Sequence, residues 1–149
     1  MGIDVKILTI SHGNVGLLKS FVESLDEEQK SFRYYENRSF DVLKNHLFTC
    51  LLTRMGKAVG YGHLDKEDGV VWLGIVVKKE FQGRGMAKEI MEALITKAKE
   101  LGLQEIRLSV DFENTRAIAL YERYGFEVIS KKENHYVLKK EMNLYTKQR

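Results

Sequence analysis

The sequence predicts an α/β (α+β) fold: a mixed, mostly antiparallel sheet with helices on both faces. Three observations predict it. The stretch Val71 to Ala98 reads as a buried strand, a glycine-bearing turn and a long amphipathic helix. Two hairpin signals, Met55-Gly56-Lys57 and Asp68-Gly69, separate short β-branched runs just before it. The remaining apolar segments alternate between strand and helix periodicity, giving the order β-α-α-β-β-β-α-β-α-β-β. The strands before and after the long helix should run parallel through a right-handed crossover.

Taken in order, Val5 to Ile10 alternates as a first strand, and Ser11-His12-Gly13-Asn14 is a turn with helix-capping chemistry. Val15 to Leu25 places Leu17, Leu18, Phe21, Val22 and Leu25 on one helical face. Asp26 to Ser31 is polar and reads as a loop or a fraying helix end. Ser39 is placed to cap a short second helix ending at Asn45. Three strands follow, Leu47 to Arg54, Ala58 to Leu64 and Val70 to Val77, with a turn from Asp65 to Gly69 between the last two. The central helix carries Met86, Ala87, Ile90, Met91, Leu94, Ile95, Ala98 and Leu101 three and four residues apart, with Gly102 as its C-cap. Glu105 to Val110 is a strand, Asn114 to Arg123 a helix, and Phe126 to Lys132 and Tyr136 to Lys140 an antiparallel pair. Trp72 and Phe126 read as core. With no proline in the chain, turns fall to Gly, Asn and Asp.

At 149 residues, with 44% hydrophobic and 30% charged residues, the chain reads as one globular domain, 1–149. A net charge of +3 is too small to argue for nucleic acid and suits an anionic cofactor equally well. No apolar run approaches the roughly 20 residues that span a bilayer. The start M-G-I-D-V-K has no apolar signal core, and Lys6 stands where a myristoylation signal wants Ser or Thr. The single cysteine, Cys50, allows no internal disulfide and reads as core packing. The expectation is a cytoplasmic protein with no nucleic-acid or membrane partner and no metal; a homodimer is compatible with it.

The chemistry concentrates in Gln82-Gly83-Arg84-Gly85-Met86-Ala87. A glycine turn opening a helix leaves backbone N–H groups without intrahelical partners, and the helix dipole adds to their positive potential. Such a place suits a phosphate or pyrophosphate. It is not a dinucleotide fingerprint, since the last place counted from Gly83 is Lys88, and no Walker A pattern is present. The loop resembles the acetyl-CoA pyrophosphate loop of the GNAT N-acetyltransferase superfamily, Q/R-x-x-G-x-G/A. Gln82, Gly85 and Ala87 fill its places, and Val77 matches the family's strand-end valine. Lys79 replaces the proline that many members carry on the way into the loop.

A second stretch, Asn114 to Phe126, resembles the same family's N-x-x-A-i-x-l-Y-e-k-x-G-F pattern. The resemblance covers about Leu47 to Leu138. It implies acetyl-CoA as co-substrate, bound by Ile75, Val76, Val77, Gln82, Gly83, Arg84, Gly85, Met86, Ala87, Asn114, Ala117 and Tyr121. The pantetheine arm would lie between two splayed strands, paired to backbone at Ile75 and Val77. A strand N–H would hold the developing oxyanion, and Tyr121 would protonate the leaving thiolate. Asn114 would also cap its helix. Lys78, Lys79, Arg84 and Arg116 form a basic fringe, of which Arg84 is best placed to touch phosphate.

Direct transfer to a primary amine would follow, with no covalent enzyme intermediate. A lysine-like ammonium has a pKa of about 10.4, so about 4 kcal/mol of deprotonation is required at neutral pH. His63, Asp65 and Asp111 are the candidate bases, His63 first among them. The acceptor side falls on Phe32-Arg33-Tyr34-Tyr35-Glu36-Asn37-Arg38, whose aromatic and polar mixture suits a small amine such as an amino sugar. A protein or peptide amine stays open, and so does a non-catalytic acetyl-CoA-binding module, against which Tyr121 argues.

Overall fold

Two two-residue turns fix the centre of the sheet. Met55 and Gly56 have φ of 53° and 83°, and Asp68 and Gly69 have φ of 52° and 81°. Left-handed backbone at both central positions matches the right-handed twist of the flanking strands, so each turn closes a tight hairpin. The computed structural model describes residues 4–25, 34–35 and 38–142. Its strands are β1 (Val5–Thr9), β2 (His46–Arg54), β3 (Lys57–Glu67), β4 (Val70–Val77), β5 (Glu105–Asp111), β6 (Glu127–Lys131) and β7 (His135–Glu141). Its α-helices are α1 (Val15–Glu23), α2 (Met86–Glu100) and α3 (Thr115–Arg123).

The described strands form one sheet in the order β1-β2-β3-β4-β5-β7-β6. Every pairing is antiparallel except β4 with β5, which is parallel, as the crossover through α2 requires. That parallel pairing is a single ladder position, Trp72 opposite Arg107. Beyond it the two strands diverge towards their C-terminal ends.

Helix α2 packs on one face. Ile90, Met91, Leu94 and Ala98 are fully buried against Cys50, Leu52, Leu64, Leu108 and Leu138. Close approach depends on glycine in β3: a Cβ at Gly62 would stand 2.5 Å from Ile90 Cγ2 and 3.2 Å from Leu94 Cδ1. Tyr121 of α3 and Phe126 join the same core. The helix closes in a Schellman motif, with Gly102 N–H bonding Lys99 O and Leu103 N–H bonding Ala98 O. Leu101, expected on the apolar face, is the C-cap of this motif and is 44% exposed.

The opposite face carries α1, whose Leu18 and Phe21 pack with Ile10, Leu51, Tyr61 and Val76. The apolar stripe is narrower than the sequence suggested. Leu17 is 50% exposed, because a nine-residue helix buries only the one turn-to-turn pair facing the sheet. Ser24 stops the helix by bonding Phe21 O through its Oγ.

Three expectations need correction. The second helix is a short 3-10 segment, Phe40–Asn45. Ser39 caps it as expected, accepting from Asp41 N–H at 3.1 Å, but β2 begins at His46 and leaves no room for an α-helix to propagate. Strand β3 continues to Glu67, three residues past Leu64, because Asp68-Gly69 alone suffices to turn the chain. Asp65 therefore lies inside a strand, 3% exposed, and not in a turn. Asp26 to Ser31 lies outside the described residues, as do Phe32, Arg33, Glu36 and Asn37 of the expected acceptor segment.

Candidate active site

The divergence of β4 from β5 opens a cleft of about 800 Å³. Ile75, Val76 and Val77 line one wall; Gln82, Gly83, Gly85 and Ala87 line one end; Asn114, Ala117 and Tyr121 line the far wall. Ten of the twelve residues singled out from the sequence thus surround one cavity. Arg84 and Met86 do not line it. Arg84 lies over the Phe81 ring, 5.7 Å from its centroid, and the Met86 side chain packs into the core.

The loop before α2 is built for backbone exposure. Gln82 Nε2 donates to Val77 O at 3.0 Å and ties the loop to the strand end. Gly85, with φ of 84°, is the N-cap of α2, and no side chain caps the helix there. The first intrahelical bond runs from Glu89 N–H to Gly85 O. The N–H groups of the first turn are therefore free to meet an anion at the mouth of the cleft. Arg116 adds positive charge beside them: its Nη1 lies 3.4 Å from where a Cβ at Gly83 would be. Lys88 and Arg123 also line the cleft.

On the far wall, Asn114 Oδ1 accepts from Ala117 N–H at 3.3 Å and starts α3. Ala117, Leu120, Tyr121 and Tyr124 follow at helical spacing, and all four line the cavity. That spacing was the signal that could have added Leu120 and Tyr124 to the expected site. Tyr121 is 7% exposed, and burial raises its hydroxyl pKa to about 12. It stays protonated at any ordinary pH and is an acid, not a base.

The α1 face of the sheet holds a second cluster that backs onto the cleft. Register places His46, Asp65 and Trp72 in one row across β2, β3 and β4, and Thr49, His63 and Gly74 in the next. Gly74 lines the cleft and leaves a gap in its row, into which the His63 ring leans: a Cβ there would be 2.6 Å from His63 Nε2. His63 Nδ1 and Tyr61 Oη are 2.6 Å apart, and Tyr61 Oη and Tyr35 Oη 2.8 Å apart. Burial, with His46 and Arg38 adding to it, drives the His63 pKa well below its usual value, so the imidazole is neutral.

A second chain has a fixed direction. Tyr34 O–H donates to Asp65 Oδ2 at 2.7 Å, which leaves Tyr34 Oη to accept from His46 Nε2–H at 2.7 Å. His46 Nδ1 then accepts from the Thr49 hydroxyl at 2.7 Å. Burial lowers the His46 pKa, against the opposing pull of Asp65, in keeping with this neutral tautomer. Among the described residues, Asp65 Oδ1 has no hydrogen-bond partner. Asp111, the remaining candidate base, lies on the cleft wall at the end of β5.

Among the described residues, no three His, Cys, Asp or Glu side chains converge to hold a metal ion. No described helix is long and apolar enough to cross a membrane.

Comparison with known proteins identifies the family and the fold. The profile of the acetyltransferase (GNAT) family matches residues 16–126. The chain belongs to the GNAT acetyltransferase family. Among relatives of this GNAT chain, a probable spermine N(1)-acetyltransferase of Bacillus subtilis subsp. natto is 40% identical over 65 residues, 42% of this chain and 43% of that protein. The [ribosomal protein bS18]-alanine N-acetyltransferase of Escherichia coli is 30% identical over 86 residues, 57% of this chain and 58% of that one. The matched stretch spans less than half the length of the first curated relatives. In fold, the GNAT domain of S. lividans PAT superposes with a TM-score of 0.77 at 18% identity, covering 92% of this chain and 90% of that one. The PaiA N-acetyltransferase of Thermoplasma acidophilum, solved in complex with coenzyme A, superposes at 0.72 with 16% identity, covering 93% and 99%. These likenesses are of fold, across nearly the whole of each chain.

Proposed function

We propose that this GNAT domain transfers the acetyl group of acetyl-CoA directly to a primary amine of a small molecule, acting as one cytoplasmic domain over 1–149. One observation carries the reading. The single parallel strand pair parts immediately after Trp72, and the gap leads from the free N–H groups at the start of α2 to the Tyr121 hydroxyl. The residues present fit acetyl-CoA. Backbone at Gly83, Gly85 and Ala87 meets the pyrophosphate, and Arg116 adds charge beside it. Ile75 and Val77 offer their main chain to the pantetheine, and Ala117 leaves room for it. The PaiA neighbour was solved with coenzyme A, which supports the same ligand here.

In the proposed reaction a β4 backbone N–H stabilises the developing oxyanion. His63, neutral and with Nε2 turned towards Gly74, takes a proton from the nitrogen once the new C–N bond has made that nitrogen acidic, since its lowered pKa leaves it too weak to deprotonate a free ammonium. Tyr121 supplies a proton to the departing thiolate. Its raised pKa keeps that proton in place until a stronger base forms beside it. The relatives' names span spermine, mycothiol and an alanine of a ribosomal protein. The amino sugar suggested by Tyr34, Tyr35 and Arg38 belongs in the same panel.

Thiol release from acetyl-CoA, measured across amino sugars, alkyl amines, polyamines and peptides, tests the reading. Release that depends on an amine supports it, and its absence with every amine overturns it. Calorimetry on Gly85→Val tests the loop separately. A β-branched residue at this left-handed position strains the turn and crowds the pyrophosphate, so acetyl-CoA binding should be lost.

A further inference from the structure

Asp65 is the one buried carboxylate on the α1 face of β3, and half of it is unused. It is 3% exposed; Oδ2 holds the Tyr34 hydroxyl, and Oδ1 bonds none of the described residues. Among the described residues no cation bonds it. Arg38, whose charge reaches Tyr34, His46 and His63, bonds Tyr34 O, lies 4.3 Å from the Tyr34 ring centroid and pairs with Glu67 at 3.7 Å. His46, in the same row, is held neutral by burial. A carboxylate taken out of water without a counter-charge is costly, and the missing partner is a group that is both a cation and a hydrogen-bond donor.

The surroundings suit an ammonium. Trp72 sits directly across the ladder from Asp65, where side chains of facing residues stand about 5 Å apart, and the Tyr34 hydroxyl occupies the other carboxylate oxygen. Electron-rich ring faces and a carboxylate oxygen together recognise an alkylammonium. The position relative to the reaction matters equally. His63 and Asp65 are two residues apart on one strand and point to the same face, so their side chains are roughly 7 Å apart along the strand. An amine nitrogen at His63 Nε2 ready for transfer would place Asp65 within reach of a second nitrogen on a short alkyl chain.

We infer that Asp65 seats a second ammonium group of the acceptor, so that the amine acetylated is one end of a short alkyl diamine or polyamine. This deepens the acetyl-transfer reading and rests on it for the order of events. The reacting nitrogen gives its proton to His63, while the distal ammonium stays charged on Asp65 Oδ1. Acceptors with one amine, including simple amino sugars, leave Asp65 as it is in the free protein.

The test is isothermal titration of the full chain with 1,4-diaminobutane, n-butylamine and glucosamine, repeated on Asp65→Asn. Asparagine keeps an acceptor for the Tyr34 hydroxyl and removes only the charge. The expected result is at least about tenfold tighter binding of the diamine than of either monoamine, with that preference erased in Asp65→Asn. Equal affinity of the wild-type chain for diamine and n-butylamine overturns the inference, and that arm needs no variant to fold. Retention of the diamine preference in Asp65→Asn also overturns it. If no amine elicits thiol release, the acetyl-transfer reading fails, while the titration still decides whether Asp65 holds an ammonium.

Discussion

His63 and Gly74 face each other across β3 and β4, and the His63 imidazole occupies the space a side chain at residue 74 would need. The glycine thus positions a ring from the next strand. In Gly74→Ala the new methyl would meet Nε2 at 2.6 Å and Cε1 at 2.8 Å, so the ring must move. Misplacing a reacting group by about 1 Å can cost up to a hundredfold. Turnover should fall on the order of ten- to a hundredfold with acetyl-CoA affinity little changed. Normal turnover in this variant would separate His63 from the chemistry.

Tyr121→Phe removes a hydroxyl and almost no volume. Turnover should drop on the order of a hundredfold while calorimetry with acetyl-CoA stays near wild type. Since burial holds the Tyr121 pKa at about 12, no loss of activity from its ionisation is expected across the neutral and mildly alkaline range. A pH–rate profile that falls near pH 9 would have to be assigned elsewhere.

The packing of α2 on β3 admits a clean stability test. In Gly62→Ala the added Cβ would press Ile90 Cγ2 at 2.5 Å inside a fully buried layer. Overpacking of this kind costs about 1–3 kcal/mol. Urea denaturation should show that loss as a lower midpoint at an unchanged m-value.

Acid should weaken the fold through His46 and His63. Burial lowers both pKa values below the unfolded value of about 6.5. Below that pH the unfolded chain binds protons that the folded chain does not, so stability rises with pH up to about 6.5 and is flat above it with respect to these groups. Each histidine adds a slope approaching about 1.4 kcal/mol per pH unit, ending at its folded pKa. Urea midpoints measured at closely spaced pH values across this window should fall as pH drops. A midpoint that holds steady down to about pH 5 would show that the buried rings are charged in the fold.

Much of the fold was legible because its signals are local. Gly56 and the Asp68-Gly69 pair marked the central hairpins, Gly102 closed α2, and Asn114 opened α3. The cleft was legible through two motifs whose residues lie on the loop and helix that flank it. What escaped depends on register between strands. Nothing along the chain says that His46, Asp65 and Trp72 share a row, or that Gly74 stands opposite His63. Asp65 was misread for a related reason: Asp near Gly suggests a turn, and only the tight Asp68-Gly69 geometry shows that the strand runs past it. Leu17 and Leu101 were read as apolar partners from periodicity alone, which cannot tell how much of a helix face the sheet covers.

The position of β7 between β5 and β6 has a consequence for synthesis. Among the described strands, the last to leave the ribosome is an interior strand, and it supplies hydrogen bonds to both β5 and β6. Until it emerges, β5 offers an open edge beside the cleft and β6 has nothing to pair with. A nascent chain halted near residue 132 should therefore expose sticky backbone to chaperones and proteases, and the co-substrate should rescue only chains that have passed this point.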